Sequence, residues 1–329
     1  MRAQATATES IDRIPVVDLA PFRAGTRAGK QQVAKDIREA AEGLGFLYYK
    51  NHGVPADVVE TAFAVGRRFF DLPVEAKLAV KVNKAHRGYI PFNNAVYSAE
   101  LKPNLNESFL MGLDLPTDDP DVLAGVPMHG PNQWPAALPE LRPALEGYFD
   151  ALGALGQITL RAFALALDLD EDYFVPRFTK PMPFIRLLHY PPQIGPRAEN
   201  EFGAAAHTDY GFVTILAQDD VGGLQVKRRD GGWIEAPPVA GTFVVNIADM
   251  LMRWTNDRWV STPHRVINAS GRERYSLPFF FDPTYHTLVS CLDSCQGPDQ
   301  AAKYPPITWG DYLTRRFDQT YAYRKEKQA

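Results

Sequence analysis

Two histidines and one aspartate have the residue types and the spacing of a metal site. His207 and Asp209 are separated by one residue, and His264 follows later in the chain. Residues i and i+2 of a strand point to the same face, so His207 and Asp209 can share one site, to which a distant strand can bring His264. This donor set is typical of non-haem Fe(II) sites with open coordination positions, although the same donors also hold catalytic zinc. The sequence therefore predicts a catalytic metal site at these three residues.

A candidate carboxylate anchor follows the metal motif. Arg274 and Ser276 are again two positions apart, in a segment with the pattern of a strand. An arginine directed inward can bind a carboxylate through two charge-assisted hydrogen bonds, and a serine hydroxyl adds a further donor. A metal with open positions beside such an anchor suits a 2-oxo acid, whose keto-acid end would bind the metal.

The composition limits the classes of partner. The chain has 329 residues, of which 45% are hydrophobic, and a formal net charge of −4. Its charges are scattered without a basic stripe, so we expect no nucleic-acid partner and no anionic membrane partner. No apolar run approaches the roughly 18 residues of a membrane span. Cys291 and Cys295 are the only cysteines and the sequence shows no apolar leader, so we expect a cytoplasmic protein. We expect its partner to be a small-molecule substrate. The oligomeric state cannot be inferred.

The order of predicted elements indicates a mixed α/β protein with a mainly β core. Short strands rich in β-branched and aromatic residues occupy the chain from Pro183 onward, a pattern typical of a sandwich or barrel. A jelly roll is one such architecture, and it can bury a metal. We therefore divide the chain into a helical and mixed region, 1–182, and a catalytic β-roll with a closing helix, 183–329, packed as one unit. Helical periodicity is predicted over residues 30–45, 58–70, 142–169 and 309–325.

The substrate pocket is predicted to be lined by residues 87–94 and by Tyr97, within an irregular stretch of the first region. Residues 84–139 contain many Pro, Asn and Gly, and long segments of this kind are often binding loops. We predict that Tyr89, Asn93 or Tyr97 contacts the substrate. Phe280 is a further candidate, because strand alternation places it on the same face as Ser276.

Several other polar residues are expected to have structural roles. His52 is predicted to cap the end of a strand. His189 adjoins Tyr190 in an alternating strand, so it should point away from the pocket. Asn246 and Asp249 are predicted to shape a turn.

Five motifs in the second half resemble one enzyme family when they are taken together and in order. The first half contributes Ile14-Pro15-Val16-Val17-Asp18-Leu19 and Gly45-Phe46-Leu47-Tyr48-Tyr49-Lys50-Asn51-His52-Gly53-Val54-Pro55. The five motifs are His207-Thr208-Asp209-Tyr210-Gly211, Gly222-Gly223-Leu224-Gln225-Val226, Val245-Asn246-Ile247-Ala248-Asp249, Ser261-Thr262-Pro263-His264-Arg265-Val266 and Arg274-Tyr275-Ser276. With these motifs the chain resembles the 2-oxoglutarate and Fe(II)-dependent dioxygenases of the isopenicillin N synthase-like superfamily over nearly its whole length.

The resemblance implies a fold, a reaction and a set of roles. The fold is a distorted double-stranded β-helix, or jelly roll, flanked by N-terminal helices. The reaction uses Fe(II), 2-oxoglutarate and O2, releases succinate and CO2, and hydroxylates, desaturates or cyclises a small organic molecule. The three metal-site residues become iron ligands, while Arg274, Ser276 and Tyr190 bind 2-oxoglutarate. Many plant members have Asn-Tyr directly before the Tyr-Pro-Pro motif, where this chain has Leu188 and His189.

Three alternatives remain open at the level of the sequence. An oxidase of the same superfamily would need no 2-oxoglutarate, and succinate release distinguishes it. A zinc hydrolase would use the same donors, although the chain lacks a His-Glu-x-x-His helix and has the Arg274-x-Ser276 pair. A non-catalytic metal-binding β-roll would consume no oxygen.

Overall fold

Eight helices are present in the part of the chain that the computed structural model describes, which is residues 13–92, 104–193, 200–297 and 301–321. None of these described helices combines the length and the apolar character needed to cross a membrane. Short 3-10 turns occur at Val175–Arg177 and Asp293–Cys295. The helices are α1 (Ala20–Arg23), α2 (Arg27–Gly43), α3 (Ala56–Phe70), α4 (Val74–Leu78), α5 (Pro120–Leu123), α6 (Leu141–Ala166), α7 (Asp249–Trp254) and α8 (Trp309–Thr320).

The strands form one large sheet, one smaller sheet and a two-stranded ribbon. The large sheet has the order β1-β2-β10-β7-β12-β5-β4-β3, the smaller one β6-β11-β8-β9, and the ribbon pairs β13 with β14. The strands are β1 (Val16–Asp18), β2 (Phe46–Lys50), β3 (Gly88–Ile90), β4 (Glu107–Gly112), β5 (Phe184–Tyr190), β6 (Ala204–His207), β7 (Val213–Gln218), β8 (Leu224–Lys227), β9 (Trp233–Glu235), β10 (Thr242–Ile247), β11 (His264–Val266), β12 (Arg274–Phe281), β13 (Leu288–Val289) and β14 (Ile307–Thr308).

The large sheet is buried on both faces, and strand alternation separates two environments. In β7, Val213, Ile215 and Ala217 belong to the main apolar core, whereas Thr214 and Leu216 line a cavity on the opposite face. Successive strand residues point to opposite faces, so each central strand contributes one set of side chains to the helices and one to the cavity. The second face meets the smaller sheet, whose Leu224 and Val266 join the same apolar cluster as Leu188.

The helices cover the outer face of the large sheet. Helices α2 and α3 both pack on α6, whose Leu145, Leu152 and Leu155 are buried in the main core. Helix α2 ends before Gly45, which has φ +71° and approaches the carbonyl of Val260 so closely that a Cβ would lie 2.0 Å from that oxygen. Glycine permits this left-handed helix end at little cost. The predicted mixed α/β class, with a jelly roll flanked by N-terminal helices, is confirmed.

One expectation for the first region needs correction. Residues 84–139 were expected to be irregular, but β3 and β4 lie within this range and extend the large sheet. Strand β4 pairs with β5 along its whole length, so tertiary pairing supplies the order that local sequence does not indicate. Strands β1 to β4 thus share a sheet with strands from the second region, and the division at residue 182 remains a prediction.

Candidate active site

The three predicted metal-site residues meet at one end of the smaller sheet. His207 ends β6 and is the pairing partner of His264 at the start of β11. Asp209 lies in the turn that follows β6, and its Oδ1 is 3.8 Å from Nε2 of His207 and 3.7 Å from Nε2 of His264. One candidate ligand atom from each residue lies within 4.8 Å of the other two. Such spacing leaves room for one ion in contact with all three.

Backbone carbonyls orient both imidazoles. Nδ1 of His207 is 2.7 Å from the carbonyl oxygen of Ala205, and Nδ1 of His264 is 3.2 Å from that of Thr262. With Nδ1 donating to a carbonyl, Nε2 carries the lone pair that a metal binds. Burial and the proximity of His264 lower the pKa of His207 to about 4. His207 is therefore neutral near pH 7, which is the form that binds a metal.

The aspartate is held by two side chains from neighbouring strands. Its Oδ2 accepts hydrogen bonds from the Thr214 hydroxyl at 2.6 Å and from the Asn246 amide at 2.8 Å. Burial by itself raises the pKa of Asp209, but the two histidines and these two hydrogen bonds outweigh it and lower the pKa. Asn246 was expected to shape a turn. That expectation was wrong, because Asn246 lies in β10, opposite Thr214 of β7.

Asp249 connects the two segments that carry the metal-site residues. Its carboxylate accepts from the Thr208 hydroxyl at 3.1 Å and from the Ser261 hydroxyl at 2.7 Å. Its backbone N–H donates to the carbonyl of Asp209. Burial raises the pKa of Asp249. The predicted turn residue is instead the first residue of α7, and it joins the turn after β6 to the loop before β11.

The predicted carboxylate anchor is buried on β12. Arg274 is 1% exposed, and its Nε donates to the carbonyl of Gly222 at 2.6 Å. The guanidinium carbon lies 4.8 Å from the ring centre of Tyr190. Nη1 of Arg274 is buried without a hydrogen-bond partner among the described residues. A buried donor of this kind costs free energy unless a ligand satisfies it, so the arginine fits an anionic ligand.

Residues of two adjacent strands line the main cavity in register. Arg274 of β12 is opposite Tyr190 of β5, and Ser276 is opposite Leu188. The metal-site residues line the same cavity, which has a volume of about 610 Å³ including its open mouth. The cavity therefore contains both a metal-site end and a carboxylate-anchor end.

A second cavity adjoins the first on the other side of the metal-site residues. The two cavities share His207, Asp209, Arg186 and Phe280. The wall of the second cavity includes Leu313, Phe317 and Tyr321 from α8 and its end. Neither Arg186 nor this helix was predicted to line the site. Alternation offered an indication for Arg186, which lies two and four residues before Leu188 and Tyr190 on one strand.

The predicted substrate contacts have three different outcomes. Phe280 lines both cavities, as a substrate contact requires. The prediction for Tyr89 is corrected. Tyr89 is 2% exposed, packs against Phe69, and donates a hydrogen bond from its hydroxyl to Glu107 at 2.5 Å. Its side chain fills the space between α3 and the sheet, so it cannot meet a ligand in either cavity. Asn93 and Tyr97 lie outside the described residues.

The two histidines expected to be structural are accounted for. His189 points away from the cavity, as predicted. Its Nδ1 is 2.8 Å from Oε1 of Glu107, and its ring stacks on Tyr275. His52 accepts a hydrogen bond from the backbone N–H of Val54 at the end of β2.

Two family models match the chain. Residues 14–137 match the N-terminal region of the non-haem dioxygenases in morphine synthesis, and residues 181–283 match the 2OG-Fe(II) oxygenase superfamily. A 2-oxoglutarate-Fe(II) type oxidoreductase, hxnY of Emericella nidulans, is 38% identical over 325 residues, which cover 95% of this chain and 93% of the relative. A 1-aminocyclopropane-1-carboxylate oxidase of Dictyostelium discoideum is 33% identical over 362 residues, which cover 94% of this chain and 92% of the relative.

Solved structures also share the fold. A full-length Neurospora crassa protein in complex with alpha-KG and thymine has a TM-score of 0.83 and 31% identity, with 96% of this chain and 99% of that chain covered. A 2OG-Fe(II) oxygenase family protein from Caulobacter crescentus has a TM-score of 0.83 and 30% identity, with 94% of this chain and 100% of that chain covered.

Proposed function

The chain belongs to the 2-oxoglutarate and Fe(II)-dependent dioxygenases of the isopenicillin N synthase-like superfamily, and from this premise we propose that His207, Asp209 and His264 bind its iron. It is an oxidoreductase that uses Fe(II), 2-oxoglutarate and O2 to oxidise a small organic molecule. The observation that carries the ligand assignment is the convergence of one ligand atom from each residue within 4.8 Å. Two imidazoles and a carboxylate on one face are the donors expected for such iron.

The surroundings of the three residues support this assignment. Each histidine has its Nδ1 next to a backbone carbonyl, which leaves Nε2 for the metal. Thr214 and Asn246 bind Oδ2 of Asp209, so Oδ1 remains for the metal. These contacts fix the ligand orientations before the ion arrives, and they limit the reorganisation that binding requires.

We propose that Arg274, Ser276 and Tyr190 bind 2-oxoglutarate. The unpartnered Nη1 of Arg274 and the Ser276 hydroxyl would donate to its distal carboxylate, while the Tyr190 ring lies against the guanidinium. The hydrogen bond from Arg274 to Gly222 fixes the guanidinium in the cavity. When bound, Fe(II) would supply the oxidising chemistry by activating O2, and 2-oxoglutarate would be oxidised by one oxygen atom of that O2 to succinate and CO2.

The chain's own contribution to the reaction is orientation and exclusion of water. Leu188, Leu216, Leu224 and Val266 surround the cavity with apolar side chains from both sheets. Such a lining strengthens the charged contacts inside and protects reactive species from water. Phe280 is proposed to contact the substrate, because it lies between the metal-site residues and α8. Asn93 and Tyr97 remain predictions from the sequence.

Oxygen uptake and succinate formation test this proposal. Purified protein with Fe(II), 2-oxoglutarate and ascorbate should form succinate, and formation should rise when a library of small molecules contains the substrate. The alanine variants of His207, Asp209 and His264 should each lose this activity and bind iron weakly while remaining folded. The similarity to a 1-aminocyclopropane-1-carboxylate oxidase makes the 2-oxoglutarate omission control essential. Oxidation of the substrate without 2-oxoglutarate would refute the role of Arg274.

A cytoplasmic location is also proposed. Cys291 and Cys295 are free thiols in the structure, which suits a reducing compartment. Cell fractionation with an antibody to the chain would test this, and recovery in a secreted fraction would contradict it.

A further inference from the structure

A second buried arginine lies beside the metal-site residues. Arg186 of β5 is 8% exposed and lines both cavities. Its Nε donates to the Ser108 hydroxyl at 3.1 Å, and its Nη2 lies 3.5 Å from Oδ1 of Asn106. His207 lines the same two cavities. A guanidinium in this position is close to the site of oxidation.

Arg186 and the 2-oxoglutarate anchor lie at different ends of the main cavity. Tyr190 is opposite Arg274, and Arg186 is four residues before Tyr190 on the same face of β5. Four strand residues span about 13 Å. One end of the cavity is thus assigned to 2-oxoglutarate, while Arg186 faces the end that continues into the second cavity.

The charges of the site leave room for an anion. Among the described residues that line the two cavities, Arg186 and Arg274 are the arginines, and Asp209 and Asp282 are the acids. Burial raises the pKa of Asp282 to about 8, so this group is mostly neutral near pH 7. The charges of Fe(II), the 2-oxoglutarate dianion, Arg274 and Asp209 cancel when they are counted together, and Arg186 adds a positive charge to this set. A buried guanidinium beside these groups favours an anionic ligand.

Two aromatic side chains form a flat wall next to this charge. The rings of Phe184 and Phe280 stack with centroids 4.4 Å apart and an angle of 20° between their planes. Phe184 lies two residues before Arg186 in β5 and pairs with Phe280 of β12. Both phenylalanines line the second cavity. Phe317 and Tyr321 add further aromatic surface from the C-terminal end. A flat, apolar group stacks well against such a wall.

We propose that the substrate is a small, flat carboxylic acid whose carboxylate pairs with Arg186 and whose ring or conjugated part lies against Phe280. This inference rests on the proposed function, since it assumes that Arg274 is occupied by 2-oxoglutarate. It names the chemical class of the substrate and makes Arg186 the residue that selects it. The guanidinium can bind a carboxylate through two parallel charge-assisted hydrogen bonds, which an amide cannot reproduce.

The test uses binding to protein loaded anaerobically with Fe(II) and 2-oxoglutarate. The probes are benzoate, phenylacetate and cinnamate, each paired with its primary amide, and thymine as a neutral flat compound. Calorimetry and thermal unfolding should detect binding of at least one acid, with an affinity at least about tenfold higher than that of its amide. Equal binding of acids and amides, preference for thymine, or no binding of any acid would each overturn the proposed class.

Variants then assign the preference to Arg186. Arg186→Gln should remove the advantage of the acid over its amide, while the affinity for 2-oxoglutarate stays within about twofold of wild type. Arg186→Lys retains the charge and should show an intermediate preference, which keeps the test available if the glutamine variant fails to fold. The control, Arg161→Gln, removes a surface charge paired with Asp172 and should change nothing.

Binding of 2-oxoglutarate distinguishes a failure of the proposed function from a failure of the proposed substrate class. If the wild-type protein binds neither Fe(II) nor 2-oxoglutarate, the proposed function is refuted, and this inference is refuted with it. Normal binding of both, together with an unchanged acid preference in Arg186→Gln and Arg186→Lys, would overturn this inference alone.

Discussion

Replacing Thr214 by valine removes one of the two hydrogen bonds that hold the metal-site aspartate. The Thr214 hydroxyl donates to Oδ2 of Asp209 at 2.6 Å, and the Asn246 amide donates to the same oxygen at 2.8 Å. A hydrogen bond to a charged group contributes about 1.5–3 kcal/mol, and valine has nearly the shape of threonine. Because Asn246 still holds the carboxylate, we expect the lower part of this range, a loss of about 10- to 30-fold in Fe(II) affinity.

The assay is anaerobic equilibrium binding of Fe(II), with thermal unfolding as a check on the fold. Asn246→Ala should have an effect of similar size. The double variant should lose more than the sum of both effects, because in each single variant the remaining bond still partly orients Asp209, whereas the double variant has neither bond. Thr159→Val is the matched control: this buried threonine donates to the carbonyl of Leu155 in α6, far in sequence from the metal-site motifs. Wild-type iron affinity in Thr214→Val, or an equal loss in Thr159→Val, would refute the reasoning.

Other contacts in and around the site give three further predictions. Arg274→Lys should raise the KM for 2-oxoglutarate much more than the KM for the substrate, and Tyr190→Phe should have the same effect more weakly. Steady-state kinetics tests this, and equal increases in the two KM values would contradict it. Burial raises the pKa of Asp282 to about 8, so the folded protein retains a proton that the unfolded chain releases, and stability falls as the pH rises from about 4 to 8. Asp282→Asn removes this pH dependence. The unfolding free energy of the variant minus that of wild type should therefore increase with pH over this range, by up to about 1.4 kcal/mol per pH unit. A difference that does not change with pH would contradict this prediction. In Gly211→Ala the new Cβ would lie 1.9 Å from Oδ1 of Asp282, so we expect about 1–3 kcal/mol of destabilisation and weaker iron binding, measured by denaturation and metal titration; an unchanged protein would refute this steric argument.

The sequence pattern was sufficient for residues whose positions follow from strand alternation. The i and i+2 spacing correctly placed Arg274 and Ser276 on one face of β12, where both line the cavity. His207 and Asp209 line the same cavity, but Asp209 lies beyond the end of β6, so alternation within a strand does not account for its position. The same rule correctly directed His189 away from the cavity. These inferences need only the local geometry of a strand, together with motifs that occur in a fixed order.

Other features depend on which strands become neighbours, and local sequence does not contain that information. Asn246 supports Asp209 because β10 pairs with β7, which brings Asn246 opposite Thr214. Tyr89 is buried because β3 pairs with β4 at the edge of the large sheet, where its hydroxyl meets Glu107. Its Pro- and Gly-rich surroundings indicated a loop, and tertiary pairing outweighed this local preference.

The most direct test of the central claim is the amount of Fe(II) bound per chain in the presence of 2-oxoglutarate, measured anaerobically for wild type, His264→Ala and His286→Ala. His264 contributes one of the three converging ligand atoms, whereas His286 is exposed and serves as the histidine control. We predict one tightly bound iron per chain in wild type and in His286→Ala, and a large loss of iron in a folded His264→Ala protein. Equal iron binding by all three proteins would contradict the assignment of the metal site.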